Sequence, residues 1–405
     1  MSTKNWKSAL ATLITAAILS PAAMAQKVTG DVVKIGVLTD LSGVYSDISG
    51  PGSVIAAQLA VQDFSKSGTV LGKKIDVVSA DHQNKPDVAS NKAREWYDRE
   101  NVDVIVDLVN STTALAVMDI AEQKKRITLV SGAASLPITN ERCTAYNALW
   151  VYDLYPLTNS LPTEIVKQGK RRWFFVAADY APGHYAENQA SQSVKAAGGE
   201  VLGSVRHPLG ATDMSSFLLR AQGSKSDVIA LASTGQDAIN AINQAVEFGI
   251  TGKQTIVPLL MYINDVHQLG LKRMQGANLI EAFYWDRNEK TQAFGRKFFE
   301  KHKRMPNMIH AGVYSSVFNY LKAVQEAGTD DADAVMKVLK SREIDDGLFK
   351  GNIRADGRFM HDMLMVEVKK PSESTAPWDY YKIRQVISAA ASAQPLSQSK
   401  CKLIK

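Results

Sequence analysis

Cysteine is nearly absent: 405 residues contain two, Cys143 and Cys401. One pair without a C-x-x-C spacing gives dithiol redox chemistry and structural zinc little to stand on. The seven histidines are scattered, none four residues from another, so no helical metal pair can form. The spacings G-x-S-x-G, H-E-x-x-H and G-x-G-x-x-G are missing, which removes the usual footholds for hydrolysis and dinucleotide binding. Gly68 to Lys74, GTVLGKK, has three residues between its glycines and no hydroxyl after the lysine. It reads as a turn between a helix and a strand, and no cofactor is implied. A run of one charge sign is also lacking: 47 Lys and Arg stand against 41 Asp and Glu. The triplets Lys124-Lys125-Arg126 and Lys170-Arg171-Arg172 each end a helical pattern, where they suit the helix dipole better than a nucleic-acid patch.

What is present begins with the first 25 residues. Lys4 and Lys7 precede the uncharged apolar stretch Ala9 to Leu19, and Ala23-Met24-Ala25 is a small-x-small site. That pattern is a secretory signal peptide over residues 1–25, too short to cross a bilayer. The expected product is an exported periplasmic protein that does not itself span the membrane. An oxidising compartment permits a Cys143–Cys401 disulfide, which would tie the C-terminal tail to the first half; two unpaired thiols are the alternative.

Short apolar runs then alternate with amphipathic helical patterns. VVKIGVL, IDVVSA, VDVIVDLV and ITLVS form one series, and RWFFVAA, EVLGSV, DVIALA and TIVPLL form a second after the loop Gly132 to Asn159. Continuous Val/Ile/Leu runs separated by helices are the pattern of parallel strands buried on both faces. The fold class is therefore α/β with two similar lobes, each a parallel-sheet sandwich. Later elements are too few for a third lobe and are expected to return to the first two. GRFMHDMLMVEVKK and DYYKIRQVI read as antiparallel strands around a turn at Pro371 to Pro377.

In open parallel sheets, ligands bind beyond the C-terminal strand ends. Four of those ends are rich in hydroxyls, amides and glycine: LTDLSGVYSDISGPG, LVNSTTALA, VSGAASLP and LASTGQDA. Free backbone N–H groups and helix N-termini there suit a carboxylate. Serine or threonine at one such loop would be an ordinary helix cap. Their recurrence at successive strand ends favours a site, with aromatic residues such as Tyr45, Tyr180, Tyr262 and Tyr284 available as walls.

The ordered series VKIGVLTDLSG…GPG, LGKKIDVVSADHQNKPDVA, VIVDLVNSTTALAV, LVSGAASLPIT and DYAPGHYAEN resembles the periplasmic substrate-binding proteins of ABC transporters. The likeness is to the leucine/isoleucine/valine-binding type and covers essentially the whole mature chain. It implies a periplasmic binding protein type I fold, two lobes joined by a multi-crossover hinge, working as a monomer with an inner-membrane ABC permease. The division expected is 26–146 and 276–350 for lobe one, 147–275 and 351–388 for lobe two, and 389–405 for a C-terminal tail. Carried over by position, Asn110, Ser111, Thr112, Ala133, Ala134 and Ser135 would hold a carboxylate. Tyr45, Asp47 and Ile48 would cover the ligand, and Tyr180, Pro182, Thr234, Met261 and Tyr262 would close on it, with Tyr284 added to the expected site as one of the aromatic residues near the strand ends.

One departure bears on the ligand. Amino-acid-binding members usually present an acid to the ligand ammonium near the end of the strand TIVPLL, where this chain reads Met261-Tyr262 and the next acid is Asp265. An unpaired buried ammonium costs several kcal/mol, so a carboxylate with an apolar or aromatic body fits somewhat better than a branched-chain amino acid unless Asp47 or Asp265 reaches inward. The expected function is a transport receptor that closes over its ligand. The alternative is a periplasmic sensor module feeding a signalling partner, and catalysis has no support.

Overall fold

The computed structural model describes residues 28–404, and the expected signal peptide lies outside them. No helix among the described residues is long and apolar enough to cross a membrane. The first sheet consists of β1 (Val32–Thr39), β2 (Thr69–Val70), β3 (Lys73–Asp81), β4 (Val104–Asp107), β5 (Ile127–Val130) and β6 (Asn147–Leu149). Their order is β2-β3-β1-β4-β5-β6, parallel except for the β2–β3 hairpin. Crossover helices α1 (Gly50–Phe64), α2 (Pro86–Asp98) and α3 (Ser111–Lys124) follow β1, β3 and β4.

Alternate residues of one strand enter different cores. Val104 and Val106 of β4 join the core on the side of the helix Met308–Ala327, while Ile105 joins the core with Trp96 of α2 and Val117 of α3. Each fully buried aliphatic side chain contributes ~1.5–3 kcal/mol, so covering both faces fixes the register of the strand.

A second parallel sheet repeats the plan. Helix α4 (Leu154–Lys167) leads into β7 (Arg172–Ala178), α5 (Ala181–Ala196), β8 (Glu200–His207), α6 (Ser215–Gly223), β9 (Val228–Ala232), α7 (Gln236–Glu247) and β10 (Thr255–Pro258). The strand order is β10-β9-β7-β8. Here Trp173 and Phe175 face α4 and α5, while Phe174 and Val176 face the core shared with α6 and α7.

The remaining elements are α8 (Ile263–Leu269), α9 (Leu271–Met274), β11 (Asn278–Glu281), α10 (Glu289–His302), α11 (Met308–Ala327), α12 (Ala332–Ser341), β12 (Glu343–Asp345), β13 (Lys350–Ile353), β14 (Phe359–His361), β15 (Met363–Val368) and β16 (Tyr381–Ile387). Strand β11 pairs antiparallel with β15, which pairs antiparallel with β16, and their Leu279, Leu364 and Val366 join the core of the second lobe. Helices α10 and α11 pack on α1, and β13 and β14 lie beside the end of β6, where Leu149 bridges to Arg358. We therefore place the crossings at Trp150–Asp153, Ala282–Trp285 and His361–Met363, somewhat later than the divisions read at 147, 276 and 351.

Those crossings are bolted together. Buried Arg358 approaches Asp153 at 3.2 Å, misaligned for a hydrogen bond but close for an ion pair. Its guanidinium donates to Leu149 O and Val151 O, and His361 Nε2 lies 2.6 Å from Val151 O. Cys143 and Cys401 are joined by a disulfide, with Cα atoms 5.6 Å apart across 258 residues of sequence. Closing so long a loop constrains the unfolded chain by about 5 kcal/mol in the chain-entropy account.

Candidate ligand-binding cleft

Three strand-end loops of the first lobe are knitted by one residue. The carbonyl of Asp107 accepts from Ser131 N and Gly132 N, both at 3.0 Å, which ties the loop after β5 to the end of β4. Its carboxylate accepts from Ser49 Oγ at 2.5 Å, which ties in the loop after β1. Burial pushes this carboxyl up to about 6, and the hydroxyls of Ser49, Thr39 and Ser53 oppose that rise. Asp107 and Leu108 sit at φ 78° and 56°, a left-handed conformation that costs a non-glycine residue ~1–3 kcal/mol and is held by this bonding. Gly132 is required by contact: a Cβ there would lie 2.6 Å from Val109 Cα.

The loop after β4 then enters α3. Asn110 is its cap, with Oδ1 accepting from Thr112 N, Thr113 N and Thr112 Oγ1. That leaves Ser111, the first helical residue, at the positive end of the helix dipole and lining a cavity.

The cavity lies between the lobes. From the first lobe come Tyr45, Ile48, Val109, Ser111, Gly132 and Ala134; from the second, Tyr180, Pro182, Gly183, Ala186, Ser233, Thr234 and Tyr262, with Tyr152 and Leu154 at the crossing. Among the described residues, no Asp, Glu, Lys, Arg or His lines it. Ser233 Oγ and Thr234 Oγ1 are buried and have no hydrogen-bond partner among the described residues. Buried hydroxyls are costly when unsatisfied, so these two are donors waiting for an acceptor.

The lobes meet around this space. Tyr45 Oη lies 3.1 Å from Tyr180 Oη, and Tyr152 Oη lies 2.5 Å from Tyr262 Oη and 2.7 Å from Gly132 O. Asn307 Nδ2 donates to Ile48 O and to Asn264 Oδ1, both at 2.9 Å, and Asn264 Nδ2 donates to Asp47 O at 3.3 Å. Gly235, at φ 61°, lets the loop after β9 approach the loop after β1, since a Cβ there would lie 2.7 Å from Val44 O. Desolvation pushes the hydroxyls of Tyr45, Tyr152, Tyr180 and Tyr262 above the ordinary tyrosine value, so all four remain neutral. The cavity is neutral, with a helix N-terminus on one side and free hydroxyls on the other, and among the described residues no nucleophile–base pair lines it.

A family model described as periplasmic binding protein matches residues 32–374. The chain belongs to the periplasmic binding protein family. A crystal structure of a periplasmic binding protein from Burkholderia mallei is 49% identical, covers 93% of this chain and 100% of its own, and superposes with a TM-score of 0.90. A branched-chain amino acid ABC transporter periplasmic ligand-binding protein from Burkholderia xenovorans is 38% identical over 92% of this chain and 100% of its own, TM-score 0.81. The Leu/Ile/Val-binding protein homolog 6 of Brucella melitensis is 24% identical over 325 residues, 77% of this chain and 81% of that protein. A solute-binding protein from R. palustris in complex with benzoate shares the fold, at 19% identity and a TM-score of 0.80, covering 92% of this chain and 100% of its own. Members of this family are solute-binding proteins, and membership implies a periplasmic location.

Of the residues singled out in the sequence, this binding protein brings Tyr45, Ile48, Ser111, Ala134, Tyr180, Pro182, Thr234 and Tyr262 to the cavity. Others lie elsewhere. Asn110 and Thr112 bond to each other as the cap, and Ala133 and Ser135 alternate away from Ala134. Met261 is packed in the apolar core of the second lobe. Tyr284 donates to Asp379 Oδ1 at 3.4 Å, and its ring lies tilted against that of Tyr381. Asp47 ion-pairs with Arg304 and borders a neighbouring cleft with Asp265, whose Oδ2 accepts from Tyr262 N at 2.9 Å. Neither acid reaches the main cavity.

Sequence reading missed Tyr152 and Ser233. Ser233 adjoins Thr234 in the loop LASTGQDA, a stretch already marked, whereas Tyr152 lies just before α4 in the connection Gly132 to Asn159. Val109, Leu154 and Ala186 carry no local signal; only the packing of the two lobes brings them together.

Proposed function

We propose that this periplasmic binding protein is the solute receptor of an ABC importer. It binds a small carboxylate that lacks an amine, an aromatic or other organic acid, by closure of the two lobes and delivers it to a membrane permease. Residues 1–25 would serve as its export signal.

The observation that carries this reading is the charge of the cavity wall. The lining includes donors for an anion, Ser111 at the start of α3 and the unpartnered hydroxyls of Ser233 and Thr234, but no carboxylate to neutralise an ammonium. A free amino acid would bury that ammonium unpaired, at a cost of several kcal/mol. The tyrosines and the aliphatic side chains of Ile48, Val109 and Leu154 suit a flat apolar body. The benzoate-bound R. palustris protein supports the acid class by fold, and the branched-chain amino acid protein from B. xenovorans is the competing precedent.

The test is a thermal-shift screen of ligand-stripped protein against free L-amino acids and against amine-free aromatic and aliphatic carboxylates. Ligand at about a hundred times its Kd adds ~2.7 kcal/mol, a shift of a few degrees. Stabilisation by the amine-free acids is expected; stabilisation by amino acids alone would overturn the reading.

A further inference from the structure

The hydrogen-bond order inside the cavity specifies more than an anion. A carbonyl oxygen can only accept, so in the 2.7 Å contact between Tyr152 Oη and Gly132 O the tyrosine is the donor. Tyr152 has one hydroxyl hydrogen. The 2.5 Å contact between Tyr152 Oη and Tyr262 Oη therefore runs the other way, with Tyr262 donating. The chain is Tyr262 to Tyr152 to Gly132, and it leaves Tyr262 Oη with lone pairs and no hydrogen to offer. Tyr262 lines the cavity and is 1% exposed, so water does not compete freely for those lone pairs.

Ionisation does not alter the count. Tyr152 and Tyr262 are held neutral by burial, and burial also pushes the carboxyls of Asp265 and Glu281 toward their protonated forms, but among the described residues neither carboxyl is hydrogen-bonded to Tyr262 Oη: Asp265 Oδ2 accepts from Tyr262 N, and Glu281 Oε1 accepts from Tyr381 Oη at 2.9 Å. Residues from the first lobe, the crossing segment and the second lobe each contribute one link, so the order is fixed whenever the lobes are together.

Resting on the reading of an organic-acid receptor, we infer that the ligand carries a second polar group, a hydrogen-bond-donating hydroxyl that points at Tyr262 Oη. The ligand class is then a hydroxylated aromatic carboxylate, with the carboxylate toward Ser111, Ser233 and Thr234 and the hydroxyl toward Tyr262. An ammonium could also donate to Tyr262, but a tyrosine oxygen does not neutralise its charge and no carboxylate lines the cavity. A site built to pair a hydroxyl discriminates strongly against the analogue that lacks it, because its own polar group is then left buried and unpaired.

The experiment is calorimetric titration of the wild-type protein with benzoate, 3- and 4-hydroxybenzoate, and 3- and 4-methoxybenzoate. The methoxy compounds keep an oxygen but lose the donor. We expect one hydroxybenzoate to bind about tenfold or more tighter than both benzoate and its own methoxy partner. In Tyr262→Phe that preference should collapse to within about twofold while benzoate binding persists. If benzoates bind but no hydroxy compound is preferred over its methoxy partner, the donor inference fails while the acid-receptor reading stands. If no carboxylate in the series binds, both fail. The wild-type comparison decides the matter even if Tyr262→Phe folds poorly.

Discussion

The two walls of the cavity would recognise a ligand by different means. The first-lobe wall is built from Ser111 at a helix N-terminus, from Gly132 and Ala134, and from Tyr45, whose hydroxyl is already engaged by Tyr180, so the polar groups it has free are the Ser111 hydroxyl and main chain. The second-lobe wall is built from Tyr180, Ser233, Thr234 and Tyr262, so its contribution is mostly side chain. Main-chain donors read the charge common to all carboxylates. Ser233 and Thr234 add side-chain donors for that charge, and Tyr262 reads what distinguishes one acid from another. The division suggests where substitution changes affinity selectively and where it only disturbs the fold.

The strongest way to break that arrangement is at the joint that hangs one wall on the other. Arg358 and Asp153 are both buried, at 0% and 2% exposure, and Asp153 also caps α4 by accepting from Tyr155 N at 2.8 Å. In Arg358→Met the carboxylate stays buried without its cation, so the variant should lose ~3–5 kcal/mol by urea denaturation. Adding Asp153→Asn removes the orphaned charge and keeps an acceptor for Tyr155 N. The double variant should recover much of the loss; a double variant no more stable than the single would show that packing, rather than the unpaired charge, held the joint.

A sharper test compares the walls directly. Thr234→Val and Ser233→Ala remove donors that no other described residue uses, so each should weaken binding of the preferred acid by about tenfold with little change in the Tm of the free protein. Ser111→Ala leaves its backbone N–H in place and should change affinity by less than about twofold. Isothermal titration of the three variants checks this. Equal losses at Ser111 and Thr234 would mean that the first wall also works through side chains.

The same division explains how much could be read beforehand. The paired parallel sheets were legible because strands such as VIVD and VIALA, buried at every position, appear as unbroken apolar runs. Helix starts were less so: α5 begins at Ala181, because Pro182 in the opening turn needs no N–H partner and breaks no bond. At the site, Ser111 and Thr234 were legible from loop chemistry next to a strand end. Asn110 was not distinguishable from a ligand-binding residue, since capping and ligand binding ask for the same side chain. Met261 follows β10 into a turn whose direction sequence does not encode; the turn delivers Tyr262 to the cavity and Met261 to the core.

The smallest expected effect concerns an acid behind the second wall. Asp265 is 1% exposed, and burial pushes its carboxyl up to about 7 against the single opposing bond from Tyr262 N. An unfolded aspartate titrates near ~3.9, so between these values the folded protein holds a proton that the unfolded chain has released. The stabilising contribution of the neutral carboxyl is therefore complete below about pH 4 and is lost as pH rises through 7. Asp265→Asn keeps an oxygen for Tyr262 N and never ionises. Its stability relative to wild type should thus rise between pH 5 and pH 8, by ~1 kcal/mol or more, in paired melts at each pH. A difference that stays flat across that range would mean Asp265 is ionised in the folded protein throughout. The neighbouring cleft it borders with Asp47 would then be a standing negative site beside the neutral cavity, and the case against an ammonium-bearing ligand would weaken.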